Sequence, residues 1–332
     1  MTATAAIFAP RGEVLSTAER RFFADANPWG FILFARNIGT ADQLRGLCAD
    51  LRETLGRDAP ILIDQEGGRV QRILPPLARR WKPPLDDVMQ LGDRAAEGMY
   101  LRARIIAAEL KGFGIDVNCI PTLDVATEYT HRFLRNRCYG ETPEQVSDVG
   151  QAVARGLLDG GVLPVLKHMP GHGRGRVDSH LELPFTNAAV DELRASDFLP
   201  FSALADMPLG MTAHMIFEAV DPYFPATQSE QMIHLIREEL GFGGVLMTDD
   251  ISMEALSGTP ADRAQASIAA GCDLVLHCNG DMGEMRAVAE VAGSLSEGAR
   301  FRAEAALALR DTAGEVDTDQ LGAQFEALLA GP

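Results

Sequence analysis

Residues 244–250 read GVLMTDD, a run of apolar side chains that ends in two adjacent carboxylates. A strand that is apolar on both sides is typical of a parallel sheet whose two faces are covered. Seven further apolar runs of similar length occur along the chain, and several of them also end in polar residues. These runs are AAIF (5–8), FILFA (31–35), ILID (61–64), VNCIPT (117–122), VLPVLKH (162–168), GMTAHM (210–215) and DLVLHCN (273–279).

Helix-start and helix-stop signals lie between the predicted strands. The pairs with capping-box spacing are Ser16 with Glu19, Thr40 with Gln43, and Thr142 with Gln145, and Pro143 suits a first helical position. The glycines expected to end helices are Gly56, Gly160 and Gly271. Eight strands that alternate with helices predict an α/β fold, a single (β/α)₈ TIM-type barrel that forms one catalytic domain over residues 1–332. The Ala- and Glu-rich tail after about Gly293 predicts C-terminal packing helices.

Composition limits the classes of function. The chain has 332 residues, 46% of them hydrophobic, which is enough to fill one large barrel core. A formal charge of −17 argues against nucleic acid or an anionic membrane surface as a partner. The five cysteines include no CxxC pair, so we expect buried thiols in a reducing compartment rather than disulfides. The N-terminus lacks a basic, apolar leader, and we therefore expect a cytoplasmic protein.

Polar residues collect where the predicted strands end. In a (β/α)₈ barrel this carboxyl-terminal face carries the active site. The residues at these positions are Asp64, Lys167, His168, His214, Asp249 and Asn279. We therefore expect several of them to surround one pocket.

Asp249 and Asp250 close the quoted strand, and neighbouring strand residues point to opposite sides. At most one of the two carboxylates is then expected to face the pocket directly. A carboxylate there suits a nucleophile that attacks carbon, which is the role predicted for Asp249. Asp250 precedes Ile251 and Ser252, so we expect it to cap the next helix.

The segment KHMPGHGRGRVDSH, residues 167–180, contains three histidines in a glycine-rich loop. In an extended DSH, Asp178 and His180 project to the same side, and the carboxylate can fix one tautomer of the imidazole. An imidazole with a pKa of about 6.5 can both give and take a proton near neutral pH. A solvated polar loop is the simpler interpretation. A metal site built on these histidines and Asp178 lacks a compact ligand spacing, and we predict no metal.

The segment DQEGGRVQR, residues 64–72, places an acid at a strand end, then a Gly-Gly turn and two arginines. Asp64 can accept hydrogen bonds from two hydroxyls, as in sugar recognition, whereas Arg69 or Arg72 can instead neutralise nearby acids. The segment lacks a phosphate-loop pattern. Lys167 allows a Schiff base, but a hydrogen-bonding role is favoured beside Asp249. Arg137 is ambiguous from sequence.

Together these segments resemble glycoside hydrolase family 3, and particularly its single-domain bacterial β-N-acetylhexosaminidases of peptidoglycan recycling. The segments that carry the resemblance are FILFARN (31–37), DQEGGRVQR (64–72), PTLDV (121–125), KHMPGHG (167–173) with DSH (178–180), and MTDDISMEA (247–255). They stand in the family's order and extend to about residue 280. Met169 replaces the usual phenylalanine of the K-H-F-P motif, and Arg137 precedes Cys138 where the family usually has serine.

The resemblance implies a retaining exo-hydrolase that removes terminal N-acetylglucosamine (GlcNAc) from muropeptide sugars such as GlcNAc-anhydroMurNAc. It implies that Asp249 is the nucleophile and His180 the general acid/base, assisted by Asp178. It also implies that Asp64, Arg72, Arg137, Lys167 and His168 contact the sugar. No cofactor is expected, and the expected partner is an oligosaccharide that a monomer binds.

Three alternatives remain at this stage. The first is a family relative with another sugar specificity, such as a β-glucosidase. The second is a barrel that binds sugar without turnover, and the third is a metal-dependent hydrolase. The intact Asp249 and Asp178–His180 set argues against the non-catalytic barrel.

Overall fold

Parallel strands that each continue into a helix close into a barrel in the computed structural model, which describes residues 2–177, 182–310 and 316–331. Within these residues the barrel has eight strands, each paired with its neighbours along the chain, and β8 pairs with β1. The strands are β1 (Thr4–Phe8), β2 (Pro28–Leu33), β3 (Ile61–Ile63), β4 (Val117–Asn118), β5 (Leu163–Met169), β6 (Leu209–Thr212), β7 (Val245–Asp250) and β8 (Leu274–His277). The predicted (β/α)₈ barrel is confirmed.

Helices surround the barrel and continue after its last strand. They are α1 (Thr17–Ala26), α2 (Ala41–Leu55), α3 (Pro84–Leu91), α4 (Ala95–Gly112), α5 (Arg132–Arg135), α6 (Pro143–Leu158), α7 (Val190–Ala195), α8 (Leu199–Ala203), α9 (Glu230–His234), α10 (Pro260–Ala270), α11 (Met282–Ala292), α12 (Glu297–Leu307) and α13 (Thr318–Ala330). The predicted C-terminal packing helices are present: Phe325 of α13 lies edge-on against Trp81, with ring centroids 5.4 Å apart. In the described part of the chain, no helix has the length and apolarity needed to cross a membrane.

The helix ends follow the sequence signals closely. Ser16 and Glu19 form the complete predicted capping box. Thr40 caps α2 and Thr142 caps α6, but the Gln43 side chain accepts from Gly39 N–H rather than from its cap residue. Gly56 and Gly271 end their helices in the left-handed conformation, as expected, since glycine has no Cβ to clash there. After α6 the left-handed residue is Gly161 rather than the predicted Gly160.

Each predicted strand segment overlaps a barrel strand, although the bounds differ. In the segment VNCIPT only Val117 and Asn118 belong to the regular strand, while the N–H of Cys119 still donates to the Ile63 carbonyl. A short antiparallel hairpin, Gln65–Gly67 with Val70–Gln71, follows β3 and is built from the Gly-Gly turn.

Two barrel strands are irregular near their carboxyl ends. From Leu166 to Met169, β5 advances by three residues while its partner β6 advances by two. From Met247 to Asp250, β7 likewise advances by three residues while β8 advances by two. An extra residue of this kind is a β-bulge, which interrupts the alternation of side chains between the two faces. Side chains that follow one another in sequence can therefore face the same side at these two places.

The core joins the strands to the helices. Phe31 of β2 and Phe23 of α1 are both fully buried, with ring centroids 5.0 Å apart and planes at 75°. This edge-to-face contact is favourable beyond the area that it buries. The five cysteines are also buried, as free thiols.

Replacing Phe31 with alanine tests this packing. We expect Phe31→Ala to lower the free energy of unfolding by about 3–5 kcal/mol, because the truncation leaves a cavity beside Phe23. Urea titration followed by circular dichroism measures the change. Phe301 is 74% exposed on α12, so Phe301→Ala is the matched control and should change stability by less than about 0.5 kcal/mol. Equal losses in both variants would contradict this packing.

Candidate active site

One cavity of about 190 Å³ lies at the carboxyl-terminal end of the barrel. Six of the predicted site residues line it: Asp64, Arg72, Arg137, Lys167, His168 and Asp249. The other two, Asp178 and His180, lie outside the described residues, so their roles stay predictions. His214 and Asn279 are not among the lining residues of this cavity in the described part of the chain. This volume is below the range of about 300–1,000 Å³ that is usual for pockets that hold drug-sized ligands.

A buried charge network forms one side of the cavity. The Lys167 ammonium lies 2.9 Å from Asp64 Oδ1 and 2.6 Å from Glu66 Oε1, and its side chain is only 2% exposed. Arg72 donates to the other oxygen of Asp64 at 3.0 Å. Arg137 binds Glu66 with two parallel hydrogen bonds of 2.8 and 2.9 Å, a bidentate pairing that fixes both side chains. Each buried charge thus has an opposite charge in contact.

The network determines the protonation states of its members. Burial alone would raise the pKa of Asp64 and of Glu66, but the adjacent cations outweigh it and hold the pKa of Asp64 well below its usual range and that of Glu66 at about 2. For Lys167, burial is outweighed by the two carboxylates, which raise its pKa. A Schiff base requires a neutral amine, so a hydrogen-bonding role for Lys167 is favoured.

Glu66 was not identified from the sequence, although it stands in the DQEGG segment. Its side chain is fully buried, while that of Asp64 remains 15% exposed. Asp64 can therefore accept hydrogen bonds from a ligand, whereas Glu66 holds Lys167 and Arg137 in place. Gly67 at φ 113° makes room for this arrangement, because a Cβ there would overlap the Arg102 guanidinium, which donates to the Glu66 carbonyl.

An aspartate–histidine pair occurs on the next side of the cavity. Asp124 Oδ2 lies 2.7 Å from His168 Nδ1, and its Oδ1 accepts the backbone N–H of His172 at 2.6 Å. Burial would raise the pKa of Asp124, but His168 and His172 outweigh it and lower that pKa. The ionised carboxylate accepts the Nδ1 proton and turns Nε2 toward Asp249, whose Oδ2 is 4.0 Å away. Asp124 stands in the PTLDV segment, but the sequence alone predicted no role for it.

Asp249 lies between two imidazoles. Burial would raise its pKa, but His168, His214 and the N–H of Asp250, which donates to Asp249 Oδ1 at 2.8 Å, together lower it. His214 Nε2 lies 3.0 Å from the Asp250 carbonyl oxygen. His214 therefore lowers the pKa of Asp249 without lining the cavity itself. With 21% of its side chain exposed, Asp249 is an accessible, ionised carboxylate.

The expectation that Asp250 caps the next helix was wrong. Asp249 and Asp250 both line the cavity, at the bulge in β7. Asp250 does not cap a helix: its carboxylate accepts from Ser252 N–H, Ser252 O–H and Cys278 N–H. The next helix, α10, begins at Pro260 and is capped by Thr259. Asp250 therefore closes a turn and ties β7 to β8.

No group of three or more histidine, cysteine, aspartate or glutamate side chains could hold a metal ion, within the residues that the structure describes.

Comparison with known proteins gives consistent matches. The family described as "Glycosyl hydrolase family 3 N terminal domain" matches residues 12–308. A β-hexosaminidase of Methylococcus capsulatus is 36% identical over 273 residues, which cover 81% of this chain and 80% of that protein.

Solved structures agree with these matches. The chain is similar to NagZ from Neisseria gonorrhoeae in complex with N-trifluoroacetyl-D-glucosamine, with a TM-score of 0.84 and 29% identity, over 99% of this chain and 97% of the other. A glycoside hydrolase family 3 β-N-acetylglucosaminidase from Paenibacillus sp. gives a TM-score of 0.87 at 30% identity, over 98% of this chain and 66% of that one.

The charge network makes stability depend on pH. A carboxylate whose pKa is lowered on folding stabilises the protein above its unfolded pKa of about 4.3 and loses this contribution as the pH falls toward about 2, the value for Glu66. Glu66→Gln should therefore lower the free energy of unfolding by about 3–5 kcal/mol at pH 7, and by less at pH 3. Urea titrations at both pH values measure the difference.

The exposed Glu254 provides the matched control for this measurement. Glu254→Gln should change stability by less than about 0.5 kcal/mol at either pH. A Glu66→Gln penalty that does not shrink between pH 7 and pH 3 would contradict the ion-pair interpretation.

Proposed function

The chain belongs to glycoside hydrolase family 3, and from this premise we propose that it is a retaining exo-β-N-acetylglucosaminidase whose nucleophile is Asp249. It is a glycoside hydrolase of the β-N-acetylhexosaminidase type, as its relatives' names and structures agree. The observation that carries the proposal is an accessible, ionised carboxylate at a strand end, facing a small cavity lined with hydrogen-bonding charges.

In the first step a carboxylate oxygen of Asp249 attacks C1 of the sugar. The bond from this oxygen to C1 forms while the bond from C1 to the leaving oxygen breaks, and a glycosyl-aspartate ester results. The leaving oxygen takes a proton from His180, which Asp178 orients. In the second step His180 removes a proton from water, the water oxygen bonds to C1, and Asp249 departs as a carboxylate.

An imidazole in the acid/base role fits the electrostatics around Asp249. Many retaining glycosidases use a second carboxylic acid at about 5–5.5 Å from the nucleophile. Two carboxylates at that separation raise each other's pKa. A histidine adds no further negative charge beside Asp249 and Asp250, so it leaves the nucleophile ionised and can donate a proton near neutral pH.

The charge network supplies the sugar contacts in this proposal. Asp64 accepts hydrogen bonds from hydroxyls, and Lys167, Arg72 and His168 line the same cavity. Arg137 is 7% exposed and already gives two hydrogen bonds to Glu66. It therefore holds Glu66 in place, and its remaining N–H groups can donate to the sugar. A cavity of about 190 Å³ accommodates one terminal ring, which supports exo action.

The natural substrate that we propose is a GlcNAc-containing muropeptide fragment such as GlcNAc-anhydroMurNAc. We also propose that the chain forms one catalytic barrel domain and acts as a monomer. The motifs that resemble the bacterial enzymes of peptidoglycan recycling support it. Five buried, unpaired thiols agree with a reducing compartment, and we propose the cytoplasm.

Trapping of the covalent ester tests the nucleophile. Incubation with a slow fluorinated N-acetylglucosaminide should place a glycosyl group on Asp249, because the fluorine slows hydrolysis of the ester. Proteolysis and tandem mass spectrometry locate the adduct, and Asp249→Asn should abolish it. An adduct on another residue, or turnover without any adduct because the substrate's acetamido oxygen attacks C1, would overturn the assignment.

Leaving-group dependence tests His180. His180→Ala should slow a natural disaccharide by a further factor of about 10²–10⁴ compared with a nitrophenyl glycoside, whose leaving group departs without a proton. Azide should partly restore deglycosylation, since it attacks C1 without a general base. Steady-state kinetics on both substrates measure the effect. Equal losses on both, without azide rescue, would indicate a role in binding or folding instead.

A further inference from the structure

His172 is a buried histidine that the proposed mechanism does not use. It is 4% exposed and lines the active-site cavity. Neither of its ring nitrogens has a hydrogen-bond partner among the described residues. Buried polar atoms are nearly always paired, because an unpaired one loses its hydrogen bonds to water without replacement. An imidazole that lines a ligand cavity and has no partner among the described residues is therefore a candidate to bind a ligand.

The ring is held firmly at this place. Asp124 Oδ1 accepts the His172 backbone N–H at 2.6 Å, and the His172 carbonyl accepts from Gly175 N–H at 2.9 Å. Gly175 packs so closely that a Cβ there would lie 2.8 Å from His172 Cε1. Because the backbone is fixed on both sides, the ring is preorganised for its partner rather than displaced by chance.

The neighbours of His172 place it close to the reacting carbon. Its ring centroid lies 5.8 Å from that of His168, with the planes at 62°. His168 Nε2 in turn lies 4.0 Å from Asp249 Oδ2, an oxygen of the carboxylate that we propose attacks C1. A sugar bound with C1 at Asp249 would therefore present its nearest substituents to this side of the cavity.

The chemistry of the ring selects the kind of group that it binds. Burial outweighs the nearby carboxylates and lowers the pKa of His172 to about 4, so the ring is neutral at ordinary working pH. A neutral imidazole offers one N–H donor and one nitrogen acceptor. It therefore suits an uncharged polar group, in contrast to the charge network around Lys167.

We propose that His172 is a further substrate-binding residue, which hydrogen bonds an uncharged hydroxyl or acetamido group of the bound sugar. The proposal rests on the proposed function, since it takes the sugar to be bound with C1 at Asp249. A hydroxyl and an acetamido group offer the same hydrogen-bonding chemistry to the ring, and binding measurements separate the two.

The test compares two substitutions at His172. His172→Leu has a similar size but no hydrogen-bonding atoms, whereas His172→Gln keeps a donor and an acceptor. Because the ring has no hydrogen-bond partner in the described part of the chain, we expect His172→Leu to unfold at the same or a higher urea concentration. Its kcat/KM on nitrophenyl N-acetyl-β-D-glucosaminide should nevertheless fall about 10–100-fold, and His172→Gln should recover part of this loss.

The exposed His234 gives the matched control, and His234→Leu should leave the urea concentration of unfolding and kcat/KM unchanged. Calorimetric titration with N-acetyl-D-glucosamine and with D-glucose locates the group that is bound. Weaker binding of the N-acetylated sugar alone assigns the acetamido group, and weaker binding of both sugars assigns a hydroxyl; either result supports the proposal.

A His172→Leu variant that keeps wild-type kcat/KM and sugar affinity within about twofold would overturn it. The proposal would also be overturned if His172→Leu lost stability together with activity and His172→Gln restored neither. Failure of the proposed function is a separate result: the wild-type protein would then bind N-acetyl-D-glucosamine without hydrolysing its glycosides, while His172→Leu would still weaken binding. Absence of both binding and hydrolysis in the wild type would overturn the two proposals together.

Discussion

Lys167 is a cation buried between two carboxylates, and the arrangement of the active face depends on these contacts. A buried charge is tolerated only when it is paired and hydrogen-bonded, so Asp64 and Glu66 must remain beside it. Glu66 in turn anchors Arg137, and Asp64 anchors Arg72. The segments that follow β3 and β4 are thereby locked to Lys167 in β5. The charged wall is complete before any ligand arrives, so binding requires no reorganisation of these groups.

The cavity has two electrostatic halves. The half around Lys167 is built from full charges that neutralise one another. The half around Asp249 contains three imidazoles, and the rings of His172 and His214 are disfavoured as cations by burial. Asp249 nevertheless keeps a lowered pKa, because His168, His214 and the N–H of Asp250 favour its ionised form.

The barrel was predictable because its strands are apolar on both faces, and that pattern needs no knowledge of distant contacts. The same holds for the ends of strands, where most of the candidate site residues stand. Local reasoning was wrong for Asp250, because its carboxylate accepts the N–H of Cys278, which lies 28 residues further along the chain, after β8. Glu66 and Asp124 were missed for a related reason. Their partners, Arg137 and His168, are 71 and 44 residues away in sequence, and only the closed barrel brings them together.

Closure of the barrel has a consequence for synthesis of the chain on the ribosome. β1 pairs with β2 on one side and with β8 on the other, with Phe8 opposite His277. The second edge of β1 therefore has no partner until residue 277 has left the ribosome. An exposed edge of apolar residues is a template for pairing with other chains. We expect the nascent protein to need protection from aggregation for most of its synthesis, a need that ends when the last barrel strand docks.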